Sequence, residues 1–159
     1  MAAVTLEDIV FTSIVTLLAG IQLTRFARKV GKSRMKHKVD YPKMIGDENF
    51  ERVLRAQQNS LEFFPVFMIS LWMSSLFFNQ VVSAVVGLVY LYSRHLYVEG
   101  YSRSVKERLP GFKLGVRCIM ALAAMAMIGF TTVLLRMYAD IDLAVLFRTV
   151  VRRNLNVSI

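Results

Sequence analysis

Arg52, Arg55, Asn59 and Glu62 follow one another at steps of three, four and three, and an uncharged run opens directly after them at Phe63. On an α-helix that spacing stacks all four on one face, a turn apart. Ionisable side chains at the centre of a membrane helix cost about 2.5–3.5 kcal/mol each, so they persist where they face a bundle interior or a polar ligand. A helix from Glu51 to Phe78 would be about 42 Å long against a hydrocarbon core of about 30 Å, which lets the arginines stand in the interface while Asn59 and Glu62 lie deeper. Snorkelling of Arg52 and Arg55 to headgroups, with Glu62 as their ion-pair partner, would account for the charges. It leaves Asn59 and nearby Gln57 without a purpose, so the stripe reads as half of a binding site.

Tyr90, Arg94, Tyr97, Tyr101 and Arg108 supply the other half, alternating at steps of four and three once Ser104 is included. Two long helices joined by a tight turn at Asn79-Gln80 must run antiparallel, which brings the two polar stripes to the same level. Interfacial tyrosines also form aromatic belts, although a belt needs no such register. Arginine forks suit carboxylates, Glu62 suits an ammonium, Asn59 and Gln57 suit peptide amides, and Tyr97 and Tyr101 offer hydroxyls. These groups describe a small zwitterionic peptide with excess carboxylate. Glutathione is one such peptide, and a nearby guanidinium would favour ionisation of its thiol. Composition does not single it out within that class.

The elements that must carry these stripes are membrane spans. Of 159 residues 55% are hydrophobic, yet the net charge is +9, an unusual pairing for a soluble domain. Charge is absent over 9–24, 63–93 and 118–135, and the middle stretch is long enough to cross, turn and start back. An all-α, integral membrane four-helix bundle in one domain is expected, with spans near 7–27, 51–78, 81–104 and 113–137. A short interfacial helix is expected over 140–153. Basic residues crowd the first and third connections, which places both on the cytosolic side. The first span reads as a retained anchor, since no basic start or small-residue cleavage site precedes it. The charge is explained by topology, and no nucleic-acid module is present to use it. Cys118 is the one cysteine, so neither an internal disulfide nor a cysteine metal cluster is expected. His95 reads as an interhelical polar group, and the Asn156 glycosylation sequon as unused.

The runs Glu51-Arg52-Val53-Leu54-Arg55-Ala56-Gln57-Gln58-Asn59-Ser60-Leu61-Glu62-Phe63-Phe64-Pro65, Gly87-Leu88-Val89-Tyr90 and Arg94-His95-Leu96-Tyr97-Val98-Glu99-Gly100-Tyr101 resemble the membrane-associated eicosanoid and glutathione metabolism family. The resemblance spans roughly 26–130. It implies a homotrimer in the endoplasmic reticulum or nuclear envelope, with glutathione as co-substrate between subunits, no metal, and the site toward the cytosol. Arg55, Asn59, Glu62, Arg94, Tyr97 and Tyr101 would hold glutathione, with Gln57 beside them and Arg34 reaching across. Arg108 would stabilise the thiolate. The implied partners are a lipophilic electrophile, such as the allylic epoxide precursor of cysteinyl leukotrienes, or a lipid hydroperoxide, within membrane lipid. Phe63 and Met35 stand where the leukotriene-synthase branch has tyrosine and arginine: Phe63 shifts the subtype rather than the class, and Met35 favours general glutathione conjugation over leukotriene synthesis. The competing expectation is a non-catalytic lipid-binding scaffold like the family's 5-lipoxygenase-activating protein; Arg55 and Arg108 argue for an enzyme.

Overall fold

Three of the four helices begin where the sequence supplies a cap or a proline. The computed structural model describes residues 5–139, and within them the fold is all-α: α1 (Val10–Lys36), α2 (Glu48–Phe77), α3 (Gln80–Arg103) and α4 (Leu109–Tyr138). Asp47 caps α2 by accepting the Asn49 backbone N–H at 2.8 Å, and Glu48 and Glu51 in the first turn complement the helix dipole. Asn79 caps α3 through two backbone N–H groups. Pro110 sits at the start of α4, where its missing N–H costs nothing. All four helices are long and apolar enough to cross a bilayer.

Two helix ends differ from expectation by more than three residues. The first helix runs on to Lys36 rather than ending near 27, because the Arg, Lys and Met residues of 28–36 are good helix formers and no proline follows to stop them, so Gly31 is carried within the helix. The fourth starts at Leu109 rather than 113. The expected 140–153 helix and Asn156 lie outside the described residues. Proline at position 65 does not interrupt α2, which continues to Phe77. His95 is exposed and forms no side-chain hydrogen bond among the described residues, so it is not an interhelical group: its position turns it outward from the face that carries Arg94 and Tyr97.

The pair α2–α3 forms the centre, with α1 against one side and α4 against the other. Val15 and Ala19 of α1, Phe67 and Leu71 of α2, Ala84 and Tyr90 of α3, and Cys118 and Leu122 of α4 make the main core. A smaller cluster of Phe26, Ala56, Tyr97, Val98 and Tyr101 lies nearer the charged end. Apolar side chains such as Leu17, Ile69, Val85 and Met127 are exposed along the spans, as a lipid-facing surface requires. At Gly111, α4 touches the α3 backbone: a Cβ there would lie 2.7 Å from Ser93 O and from Tyr97 Cα. Only hydrogen fits, so the glycine sets how closely the helix bearing Phe112 approaches the one bearing Tyr97.

Candidate functional site

The antiparallel α2–α3 pair joins the two polar stripes. Arg55 pairs with Glu62 at 2.9 Å, and Glu62 also accepts the Asn59 amide at 3.3 Å. From the facing helix, Arg94 donates to Asn59 Oδ1 at 3.0 Å and to Ser60 Oγ at 2.9 Å. The Arg94 guanidinium lies 4.3 Å from the Tyr97 ring centroid and 5.5 Å from that of Phe63. Tyr97 meets Tyr101 edge-on at 5.7 Å, and the Arg108 guanidinium stands 4.9 Å from the Tyr101 ring centroid. Six of the expected residues, Arg55, Asn59, Glu62, Arg94, Tyr97 and Tyr101, thus form one unbroken chain of contacts that ends on Arg108.

The chain has a buried half and an open half. Arg94 and Tyr97 are each 3% exposed, whereas the Arg55 and Glu62 side chains are about half exposed, at 54% and 50%. Arg94 meets neutral acceptors and aromatic faces, with no carboxylate in ion-pair range among the described residues. It therefore holds Asn59 by hydrogen bonding rather than by charge neutralisation. Its Nε and the Tyr90 hydroxyl are buried without partners among the described residues, beside a small pocket also lined by Gln22 and Ser60. Arg108 is half-buried and forms no ion pair among the described residues, which leaves its positive charge available to an anion. A cleft of about 410 Å³ opens beside the chain, lined by Met44, Arg52, Arg55, Gln58, Tyr101 and Val105. That is large enough for a tripeptide.

One placement corrects the sequence expectation, and three further residues stand outside the chain of contacts within a single subunit. Arg108 does not belong to the third helix. Ser104 is extended (φ −155°, ψ 145°) and ends α3, and Arg108 is the residue before α4. It returns to Tyr101 because the turn folds against Gly100, whose missing Cβ admits the Glu107 carbonyl. Arg34 does not reach the cluster within its own chain. It is 7% exposed, lies 4.5 and 4.7 Å from the ring centroids of Tyr41 and Phe50, and donates to the carbonyls of Val39, Asp40 and Lys43. It clasps the α1–α2 connection. Gln57 lies about 200° round α2 from Arg55, since each residue advances about 100°, so it faces away from the chain of contacts. Arg52 is not a link in the chain of contacts: it lines the cleft beside it and pairs with Glu48 at 2.7 Å.

Ser60 and Phe112 complete the site but carry no sequence signal strong enough to find them. Ser60 looks like any helix serine until Arg94, far along the chain, bonds to it. Phe112 meets Phe63 at 5.8 Å and Tyr97 at 6.2 Å, closing the wall on the α4 side. Its position four residues after Arg108, on the same helical face, is the one hint.

Outside the spans, Asp47 accepts both the side-chain and backbone N–H of Asn49, and these bonds hold its carboxyl below the usual carboxylate range. His37 Nδ1 stands 2.9 Å from the same carboxylate, so the cap of α2 is tied to the end of α1.

Comparison with known proteins gives the same direction. A sequence model of the MAPEG family matches residues 12–128. Microsomal glutathione S-transferase 2 from Homo sapiens is 45% identical over 130 residues, covering 82% of this chain and 88% of that protein. Leukotriene C4 synthase from Cavia porcellus is 35% identical over 146 residues, covering 92% and 97%. An uncharacterised protein from Synechocystis is 34% identical over 125 residues, covering 79% and 91%.

Proposed function

The chain belongs to the MAPEG family, and from that membership we propose that it is a membrane-bound glutathione transferase that conjugates the glutathione thiolate to lipophilic electrophiles. The observation that carries the reading is the run of contacts from Arg55 and Glu62 through Asn59, Arg94, Tyr97 and Tyr101 to Arg108. Glutathione presents two carboxylates, one ammonium, two amides and a thiol. Arg55 takes a carboxylate, Glu62 the ammonium, and Asn59, held by Arg94, an amide. The Tyr97 and Tyr101 hydroxyls form no hydrogen bond among the described residues and remain available as donors.

Arg108 acts on the sulfur. A guanidinium within about 4–6 Å favours the thiolate over the thiol, and the thiolate is the nucleophile. The thiol proton leaves to water. With an epoxide, the sulfur–carbon bond forms as a carbon–oxygen bond breaks, and the resulting alkoxide takes a proton from water. The allylic epoxide precursor of cysteinyl leukotrienes and lipid hydroperoxides are substrates within reach of the same thiolate.

Gln57 finds its place if the protein is a homotrimer: it faces away from its own chain's site, and the half-exposed side of Arg55 and Glu62 offers room for a neighbour's α2 to complete it. Arg34, spent on its own loop carbonyls, would support that interface by fixing the α1–α2 connection. The setting is the endoplasmic reticulum or nuclear envelope, with the basic connections and the site toward the cytosol. Detergent-purified protein should conjugate a chloronitrobenzene electrophile in a glutathione-dependent, saturable manner. Product formation no faster than the uncatalysed reaction would refute the enzyme and leave a lipid-binding scaffold.

A further inference from the structure

Behind the Arg55–Arg108 chain lies a group of buried polar atoms that the transferase chemistry does not use. Arg94 donates from Nη2 to Asn59 Oδ1 and Ser60 Oγ. Its Nε–H and the Tyr90 hydroxyl have no partner among the described residues, although Arg94 is 3% and Tyr90 2% exposed. Neither is free to swing toward one. The Tyr90 ring is stacked on Phe67 at 3.9 Å between centroids, and the Arg94 fork is fixed by its two bonds and by the Tyr97 ring. A buried donor left unmade costs more than an ordinary hydrogen bond gains, so both groups call for a partner.

Tyr90 and Arg94 line one small pocket between α1, α2 and α3, and Gln22 lines it from α1. Gln22 Nε2 donates to the Leu91 carbonyl at 2.8 Å, which fixes the amide; its Oε1 receives no donor among the described residues. Much of the remaining wall is apolar, with Ala19, Phe26, Phe64 and Phe67. The pocket offers about 10 Å³ to the centre of a water molecule, and one water needs about 10–15 Å³ and two to four polar partners. Two donors and one carbonyl acceptor around that volume are the complement of a single water. An anion would suit the two donors but would be repelled by Gln22 Oε1.

We propose that one ordered water sits in this pocket, accepting from Arg94 Nε and Tyr90 Oη and donating to Gln22 Oε1. It ties α1 to the α2–α3 pair and fixes the guanidinium that holds Asn59. Gln22 and Tyr90 are therefore positioning residues: neither belongs to the Arg55–Arg108 chain, and both act through Arg94. The water site does not depend on the transferase reading; its effect on glutathione rests on that reading.

Thermal unfolding and glutathione kinetics of the full-length protein in detergent test the site and its effect. Tyr90→Phe keeps the stacked ring and removes one partner of the water, so the unfolding midpoint should fall by about 2–4 °C, the effect of one typical hydrogen bond in a chain of this size. Without the water the same substitution deletes an orphaned hydroxyl and the midpoint should rise; a rise or no change would overturn the site. Gln22→Met removes a second partner, and the double variant should fall short of the summed single shifts, because one water is lost only once. Additive shifts would overturn a shared ligand. Tyr92→Phe, at a tyrosine 59% exposed and outside the pocket, should leave the midpoint unchanged, and an equal fall there would overturn the site. Tyr90→Phe should also raise the glutathione KM about fivefold at unchanged kcat, as loosened ground-state binding requires. An unchanged KM would overturn the positioning role. A wild type without glutathione turnover would remove the transferase reading, while the midpoints still decide the water.

Discussion

Gly111→Ala tests whether the contact between α3 and α4 sets the reactive geometry. The added Cβ would lie 2.7 Å from Ser93 O and from Tyr97 Cα, where ordinary contact begins at 3.4 Å, so the helices must part by about 0.7 Å (3.4 minus 2.7). Tyr97 N is closer still. The atoms in the way are backbone, with no rotamer by which to yield. Overpacking of this kind costs about 1–3 kcal/mol, against about 1 kcal/mol gained by replacing a helical glycine with alanine. The larger effect should be on chemistry. Arg108 precedes α4 by one residue and depends on that helix for its 4.9 Å approach to Tyr101. A displacement approaching 1 Å can cost about 100-fold in rate, or about 2.7 kcal/mol of transition-state stabilisation. The assay is kcat/KM for glutathione conjugation in detergent, with the thermal midpoint recorded in parallel. Gly20→Ala is the control, because an added Cβ there meets nothing within 4 Å among the described residues beyond its own helix; it should retain full activity and unfold no earlier than wild type. A Gly111→Ala enzyme within threefold of wild type would refute the claim that this contact positions the guanidinium.

Arg108→Ala should raise the pKa of bound glutathione's thiol by about 1–3; ultraviolet thiolate absorbance at pH 7 should fall and return at higher pH, and an unchanged spectrum would remove Arg108 from its assigned role. Glu62→Gln keeps shape but removes the charge facing the ligand ammonium, so the glutathione Kd measured by calorimetry should rise about 10- to 150-fold, the worth of a charged hydrogen bond of about 1.5–3 kcal/mol. The Asp47 carboxyl is held low by Asn49, so its folded pKa lies below its unfolded one. Its contribution is therefore complete above the unfolded value of 3.8 and is lost as pH falls through the folded one. Asp47→Asn should keep the helix cap while flattening the acid end of the unfolding midpoint against pH, and an unchanged profile would mean that the cap does not report this carboxyl.

Much of this protein was legible from the chain because the bilayer imposes a coarse rule. Charge-free runs over 9–24, 63–93 and 118–135 mark spans, since a backbone in lipid must satisfy its own hydrogen bonds as helix. Helical periodicity then put Arg55, Asn59 and Glu62 on one face and Arg94, Tyr97 and Tyr101 on another, and the short Asn79 turn forced the two together. Periodicity ends where a helix ends, however. Arg108 kept the register of α3 on paper, but Ser104 breaks that helix, and the Gly100 contact rather than the heptad returns the guanidinium to Tyr101. The roles of Arg34, buried under three loop carbonyls, and of Ser60 and Phe112 rest on contacts between residues far apart in sequence or on backbone shape. Local spacing determines which side chains share a helix face; how closely two helices approach, and so which groups touch, was decided by the packing of glycine and aromatic surfaces in three dimensions.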